Sequence, residues 1–128
     1  MLLPAICLGQ DFLLTKISGD KQLAVRGTEI KDSLVVCLTD KNNNPVPNVK
    51  VDFIVADGYF SSNKKVNDNS VQEESILTDE KGFAKSKVFI DKKAEDKVVV
   101  IVNVDVLAEP VYFTVSVLNK EISNFSKL

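Results

Sequence analysis

Histidine and tryptophan are absent from this chain of 128 residues, which also has only two cysteines, one methionine and five glycines. Without histidine, the Ser-His-Asp and Cys-His nucleophile systems are excluded, and so are the two-histidine, one-carboxylate iron site and every zinc site that includes histidine. Cys7 and Cys37 are too few to form a thiolate-only zinc or iron–sulfur site within one chain. We therefore expect no catalytic residues, no metal site and no cofactor.

Long runs of one character are also missing. The 16 basic and 18 acidic residues are spread along the chain, so no basic block exists to neutralise phosphates, which argues against nucleic-acid binding. No apolar run approaches the ~20 residues that a membrane-spanning helix needs. With 45% hydrophobic and 27% charged residues, the composition is that of a folded globular domain. The length suffices for one β-sandwich with a core, but not for two ordinary domains.

Alternation of apolar and polar residues dominates the chain, and no segment has the pattern of an amphipathic helix of normal length. Turn signals separate the strand-like runs at roughly the 8–12-residue spacing that is typical of β-sandwiches. We predict an all-β sandwich of seven to nine strands. The predicted strands are residues 11–17, 22–25, 33–39, 49–55, 72–78, 83–90, 97–105 and 111–118.

The phase of the alternation divides the apolar residues into an inward and an outward set. The inward set is predicted to form the core and includes Val36, Leu38, Val51, Phe53, Val100, Val102, Phe113 and Val115. The outward set is apolar where a solvated face should be polar. It comprises Val35, Ile54, Phe83, Phe89, Val99 and Ile101, and Cys37 shares its phase.

Two stretches combine a Thr-Asp pair, a polar turn and an alternating strand. The first is LTDKNNNPVPNVKVDFIV, residues 38–55, in which Pro45 and Pro47 should place the chain at an edge or corner. The second is LTDEKGFAKSKVFI, residues 77–90, in which Gly82 is expected to have a positive φ. Each stretch therefore predicts a tight, aspartate-led turn beside a strand.

These two motifs, in this order and at this spacing, resemble the bacterial immunoglobulin-like domain, group 1, of the intimin/invasin type. The resemblance covers about Phe12 to Leu118. It implies an immunoglobulin-like Greek-key sandwich that is exported and that spaces, displays or binds. Asn43 and Asn48 stand where the family usually has glycine, and asparagine tolerates the left-handed backbone angles that glycine adopts there.

The amino terminus, MLLPAICLG, is apolar but lacks a positively charged start. Cys7 and Gly9 are small residues at positions −3 and −1 relative to a cut after Gly9, as in signal peptides. We interpret residues 1–9 as the remnant of an export signal, residues 10–118 as the immunoglobulin-like domain and residues 119–128 as a polar tail. The alternatives are a short first strand that packs on the sandwich, or a lipid anchor at Cys7, which the bulky Ile6 disfavours.

The expected function is that of a non-catalytic, exported module for adhesion or protein assembly at the bacterial cell envelope, in the periplasm or at the cell surface. Its partner would be a protein or another envelope component. One alternative is a small periplasmic subunit of a larger complex. Another is a carbohydrate-binding accessory module, which the absence of tryptophan weakens because such modules usually present a planar aromatic platform.

Two surfaces are candidates for partner binding. The first is the polar loop from Ser61 to Ser70, which includes Asn63, Lys64 and Lys65. The second is the outward apolar set, represented by Val35, Ile54, Phe83 and Phe89.

Acidic residues suggest two further sites, and for both we favour a structural role. The turn carboxylates could bind calcium, but aspartates in turns more often accept hydrogen bonds from nearby amides. Glu73 and Glu74 would point to opposite faces of a strand, so they do not form the carboxylate pair of a glycoside hydrolase. The turn carboxylates are Asp40, Asp79, Asp91 and Asp96.

Overall fold

A computed structural model of the chain describes residues 12–61 and 71–119. Several predictions lie outside these residues. They are the export-signal remnant at residues 1–9, the tail after Asn119, and the loop residues Asn63, Lys64 and Lys65.

The described residues form an all-β structure in which ten strands make three sheets. The strands are β1 (Phe12–Ser18), β2 (Gln22–Val25), β3 (Leu34–Asp40), β4 (Lys50–Val55), β5 (Gly58–Phe60), β6 (Gln72–Leu77), β7 (Phe83–Ser86), β8 (Val88–Ile90), β9 (Lys97–Asn103) and β10 (Val111–Leu118). The all-β prediction is confirmed, and the arrangement is consistent with a β-sandwich.

The three sheets differ in size. The three-stranded sheet has the order β1-β3-β7, the five-stranded sheet has the order β2-β10-β9-β4-β6, and the two-stranded sheet pairs β5 with β8. All pairs are antiparallel except β2 with β10, which is parallel. The chain changes sheet between β1 and β2 at Gly19, whose φ is 98° and where a Cβ would lie 2.3 Å from the Ser33 carbonyl oxygen. Only glycine fits this crossing.

The strand count exceeds the predicted seven to nine for two reasons. Residues 83–90, predicted as one strand, divide at Lys87, because β7 pairs with β3 while β8 pairs with β5. The second reason is β5 itself, which follows Asp57 where only a turn was predicted. Both differences come from the choice of partner strand, which is not encoded in the local alternation.

The predicted core is confirmed. All eight residues of the predicted inward set have an exposed fraction of 0%. Phe53 and Phe113 are the largest of them, and Phe60 of the unpredicted β5 adds a third buried aromatic ring. Full burial of a side chain of this size stabilises the fold by about 1.5–3 kcal/mol, so the shared phase of these strands is the main source of stability.

The two Thr-Asp motifs form turns of the same design. The Asp40 carboxylate accepts hydrogen bonds from the amides of Asn42 and Asn44, each at 2.9 Å. The Asp79 carboxylate accepts hydrogen bonds from the amides two and four residues further on in the same way, also at 2.9 Å. The Asn44 and Asn42 amides hold the pKa of the Asp40 carboxyl below its ordinary value.

The two turns are also connected to each other. The buried Thr78 hydroxyl donates to the Val46 carbonyl at 2.7 Å and accepts from the Val49 amide at 3.0 Å. The Leu38 amide donates to the Gly82 carbonyl at 2.8 Å. The prolines of the first motif therefore lie at the corner where the chain passes from β3 in one sheet to β4 in another, as predicted.

Backbone angles at the predicted turn positions are left-handed. Gly82 has a φ of 82°, Asn43 of 67° and Asn48 of 61°. These values confirm that the two asparagines occupy positions suited to glycine.

Candidate functional site

The predicted outward residues lie on three different sheets. Val35 and Phe83 lie on the outer face of the three-stranded sheet, where both are half-buried. Ile54 lies on the outer face of the five-stranded sheet, and Phe89 belongs to the two-stranded sheet. The Phe89 ring is 5.2 Å from the ring of Tyr59, at an angle of 30°. The four residues therefore do not form one continuous patch.

Val35 and Phe83 line a groove of about 350 Å³ together with Ile17, Ser18, Asp79 and Lys85. We call this surface the β1-β3-β7 groove. Three strand segments build it, and their cross-strand pairs place its residues side by side. Val35 pairs with Lys85, and the neighbouring Cys37 pairs with Phe83.

A β-bulge in β1 positions the apolar wall of the groove. Lys16 pairs with Val36 and Ser18 pairs with Val35, so Ile17 is the extra residue between them. Its side chain is 50% exposed. Bulges re-aim side chains and bend the strand that carries them, and here the bulge presents an isoleucine at the edge of the groove.

Opposite charges stand at the groove. Asp79 keeps its position because its carboxylate is held by two amides of its own turn. Lys85 is exposed on β7, beside Val35 on β3. An apolar floor with one carboxylate and one ammonium at its rim can accept an amphipathic segment of a partner protein, since such grooves bind apolar anchors and orient them through a few polar groups.

Cys37 lies next to the groove and tests the phase of β3. Its side chain is half-buried on the outer face, as the outward phase predicts. Its sulfur donates weakly to the Lys81 carbonyl at 3.6 Å. Burial, and then the negative charge of Asp79, raise the pKa of the Cys37 thiol. At neutral pH this residue is therefore a poorly reactive thiol rather than a nucleophile.

The outer face of the five-stranded sheet carries a second, flatter apolar surface. Ile54, Ile101 and Tyr112 stand opposite one another on β4, β9 and β10. Leu23 and Tyr112 are 53% and 50% exposed. A polar row borders this surface, because Asp52 is buried there and accepts a hydrogen bond from the Ser75 hydroxyl at 2.5 Å.

The acidic residues have structural partners. Like Asp40 and Asp79, Asp91 accepts a hydrogen bond from an amide of its own turn, that of Lys93, at 2.9 Å. Asp96 lies 3.5 Å from the Arg26 guanidinium. The amide contacts support the turn-capping interpretation for Asp40, Asp79 and Asp91, whereas Asp96 makes an ion pair. Within residues 12–61 and 71–119, no three acidic or cysteine side chains are grouped so as to hold a metal ion.

The two glutamates of β6 point to opposite faces, as expected from their strand. Glu73 is exposed, whereas Glu74 is half-buried and accepts a hydrogen bond from the Ser86 hydroxyl at 2.5 Å. Ser86 belongs to β7, so this contact joins the edges of the five-stranded and three-stranded sheets.

Sequence reasoning missed Ile17, Asp79 and Lys85 as residues of the groove. Ile17 was predicted only as part of a first strand, and nothing in the local sequence indicates a bulge there. Asp79 was interpreted as a turn residue, and Lys85 was assigned only to the predicted strand of residues 83–90. Their meeting depends on the register between β3 and β7, which no local pattern reveals.

Comparisons with known proteins add no identification: no protein-family model matches the chain, and a search of curated proteins found no significant match. In the part of the chain that the structure describes, no helix is long and apolar enough to cross a membrane.

Proposed function

We propose that this chain is a non-catalytic, immunoglobulin-like binding module that acts in adhesion or protein assembly at the bacterial cell envelope. The β1-β3-β7 groove is the partner-binding surface of this proposal. The observation that carries it is a set of apolar side chains on the outer face of a sheet where alternation should leave polar residues, with Ile17 50% exposed and Phe83 half-buried.

The order of the strands supports the immunoglobulin-like part of the proposal. In immunoglobulin domains the first, second, fourth and fifth strands share one sheet, and the third, sixth and seventh share the other. Here β1, β3 and β7 form one sheet, while β4, β9 and β10 are neighbours in another. The two turns of the Thr-Asp motifs, with left-handed residues at the glycine positions of the family, support the intimin/invasin resemblance.

The proposed mechanism is recognition by shape. The groove is built on three strands of a sandwich-like scaffold, so its walls are held by cross-strand pairs rather than by a mobile loop. A partner side chain would enter between Ile17 and Phe83, and the charges of Asp79 and Lys85 would orient the partner. Such electrostatic complementarity acts on specificity and association rate more than on affinity.

A double substitution tests the groove. Ile17→Ser with Phe83→Ser should abolish capture of the partner from an envelope extract, because the apolar walls are lost, while the thermal transition stays nearly unchanged. The matched control is Leu23→Ser with Tyr112→Ser on the outer face of the five-stranded sheet, which should retain capture. Loss of capture by the control pair alone would place the binding surface on the other face.

Export is a separate part of the proposal and has its own test. It is supported by the small residues before Gln10 and by the resemblance to an exported family. Mass spectrometry of the native protein should find a mature chain that begins at Gln10. Recovery of an intact Met1 terminus from cells would contradict the processed-signal interpretation.

The alternative of a periplasmic subunit uses the same groove but predicts a different stoichiometry. A subunit should co-purify with its complex at a fixed molar ratio under native conditions. An adhesion module should instead be recovered alone and bind only when its target is added.

A further inference from the structure

Strand β6 ends the five-stranded sheet and has an unusually regular edge. All six residues pair with β4 without a shift in register. The strand, QEESIL, contains no proline, glycine or lysine, and bulges, prolines and lysines are the common devices that prevent edge strands from pairing with other chains. In β6 only its two glutamates restrict such pairing.

The hydrogen-bond pattern identifies which residues of β6 face outward along the sheet. The Thr78 amide donates to the Val49 carbonyl and the Thr78 carbonyl accepts from the Asn48 amide, so both backbone groups of Thr78 point towards the segment that leads into β4. Because the direction of these groups alternates along a strand in antiparallel sheets, the backbone groups of Glu73, Ser75 and Leu77 point away from β4.

Counting across the sheet from the other side gives the same result. The Thr114 carbonyl accepts from the Lys21 amide, so the backbone of Thr114 points away from β9. Hydrogen-bonded and non-hydrogen-bonded residue pairs alternate along each pair of antiparallel strands. Following this alternation from Thr114 on β10 across β9 and β4, in the observed registers, again shows that the backbone groups of Ser75 point away from β4.

At the opposite side of the five-stranded sheet, β2 pairs with β10 only from Val115 onward, and the uncovered start of β10 uses its outward backbone groups. On β10, the Tyr112 carbonyl accepts from the Lys16 ammonium at 2.8 Å, and the Thr114 amide donates to Asp20 at 3.0 Å. Within residues 12–61 and 71–119, no contact of this kind is made by the outward backbone groups of Glu73, Ser75 and Leu77. These three residues form a row of donors and acceptors available to another strand.

The charges of β6 select a second copy in one register. An antiparallel pair of identical β6 strands requires residues with outward backbone groups to face each other. If Glu73 or Glu74 lies at the two-fold axis, it faces its own copy in the second strand, and two negative charges are opposite one another. If Ile76 lies at the axis, Glu73 of one copy faces Asp79 of the other, which again places two negative charges together. Centring the pair on Ser75 opposes Glu73 to Leu77 and leaves no like charges facing, which is the favourable case.

We propose that two copies of this chain pair through β6, antiparallel and centred on Ser75, and join their five-stranded sheets into one continuous sheet. The interface has two-fold symmetry and is self-complementary. It does not depend on the proposed binding groove, which is built on the three-stranded sheet.

Lys50 provides a positive charge near each end of the proposed interface. It pairs with Leu77 inside each copy and is 58% exposed. In the dimer, Glu73 of the second copy lies on the far side of Leu77, two strand spacings or roughly 10 Å from the Lys50 backbone. The two long side chains can meet over the exposed Leu77, so the Lys50 ammonium, which lies 3.9 Å from the Asp52 carboxylate in each copy, would be shared with Glu73 of the second copy.

Sedimentation velocity of the full chain over a concentration series tests the proposal. The wild type should sediment as a dimer at high concentration. Leu77→Glu opposes a glutamate to Glu73 at both ends of the interface and should weaken the dimer about tenfold or more. Adding Glu73→Lys to this variant creates two opposite-charge pairs and should restore the dimer.

The results that would overturn the proposal are equally specific. A wild type that is monomeric at every concentration refutes self-pairing. An unchanged dimer in Leu77→Glu moves the interface away from β6. A double variant that stays monomeric, although its thermal transition matches that of the wild type, refutes the register.

Cysteine cross-linking checks the register by a second route. In a chain that carries Cys7→Ser and Cys37→Ser, Ser75→Cys should form an intermolecular disulfide on oxidation, because the two residues at position 75 face each other at about 5.5 Å between Cα atoms. The matched control is Glu73→Cys, whose two copies would be about 13 Å apart along the strands. Equal cross-linking of the two variants would contradict the proposed centre.

Discussion

The two Thr-Asp turns are built alike but are embedded in the fold differently. Both aspartates accept hydrogen bonds from the amides two and four residues further on. Thr78 of the second turn is buried and joins two segments, whereas Thr39 of the first is half-buried in β3. The same short sequence therefore has a local role in one turn and a long-range role in the other, because only the threonine of the second motif is buried at the corner where the two motifs meet.

The largest expected effect is at Gly82, where the second turn contacts the first motif. A Cβ at this position would lie 2.5 Å from the Leu38 carbonyl oxygen, and φ is 82°. Gly82→Ala should therefore destabilise the fold by about 3 kcal/mol, through backbone strain and overpacking together. Urea denaturation measures this loss.

Gly27 is the matched control for Gly82. Its φ is 80°, but a Cβ there would meet only the flexible Lys92 side chain, at 3.2 Å. Gly27→Ala should cost about 1 kcal/mol, from backbone strain alone. Equal losses at the two glycines would show that the contact with Leu38 contributes nothing.

The next effect separates the two threonines. Thr78→Val preserves shape but leaves the Val46 carbonyl and the Val49 amide, which belong to half-buried residues, without their hydroxyl partner, so we expect a loss of about 2 kcal/mol. Thr39→Val in the first turn should change the stability by less than about 0.5 kcal/mol. Thermal unfolding of the two variants side by side decides whether the second turn has the long-range role.

A smaller effect is expected at Asp79, which holds its turn through two amides. Asp79→Ala should cost about 1 kcal/mol. Because Asp79 also lines the β1-β3-β7 groove, the substitution should weaken partner capture as well. Asp79→Asn, which keeps an acceptor oxygen for the amides, should recover most of the stability while the groove remains without its negative charge.

Two carboxylates, Asp40 of the first turn and Asp20, should lose their contribution to the free energy of unfolding at acid pH. The pKa of Asp40 is lowered by the Asn44 and Asn42 amides. The pKa of Asp20 is also lowered: burial opposes this, but hydrogen bonds from Lys16 and the Thr114 amide outweigh it. A carboxyl with a lowered pKa stabilises the fold above its unfolded-state pKa of about 4, and this contribution is lost as the pH falls through the lowered value.

Asp40→Asn and Asp20→Asn should therefore each flatten the decline of the free energy of unfolding between about pH 5 and pH 2. Chemical denaturation at several pH values measures this decline. The exposed Asp105 is the control, since it makes no turn contact in the described residues. An acid limb that keeps its slope in both variants would show that these hydrogen bonds are absent in solution.

The smallest effect is expected where glycine replaces the two left-handed asparagines. Asn43→Gly and Asn48→Gly should leave stability within about 0.5 kcal/mol, because glycine adopts φ values of 67° and 61° without strain. Asn43→Val and Asn48→Val should each be destabilising by about 1–2 kcal/mol, since β-branched residues disfavour this region. Thermal unfolding compares the pairs, and a tolerated valine would mean that the turn can change its conformation.

The sequence-based predictions succeeded where the controlling interactions are local. The period of two in residues 97–105 correctly buried Val100 and Val102, and the Thr-Asp-led turns formed as expected. Predictions about surfaces fared differently. Val35, Ile54 and Phe89 share an outward phase, but phase alone does not say which sheet a strand joins, and they lie on three sheets.

The sequence by itself determined the all-β class, the inward face of the main strands and the left-handed turn positions. Each of these follows from alternation or backbone sterics within a few residues. The tertiary structure alone decided the bulge that exposes Ile17, the division of residues 83–90 between two partners, and the meeting of Ile17, Val35 and Phe83 in one groove. Those features depend on register and pairing between strands distant in sequence, where the contacts of the whole fold select among locally equivalent arrangements.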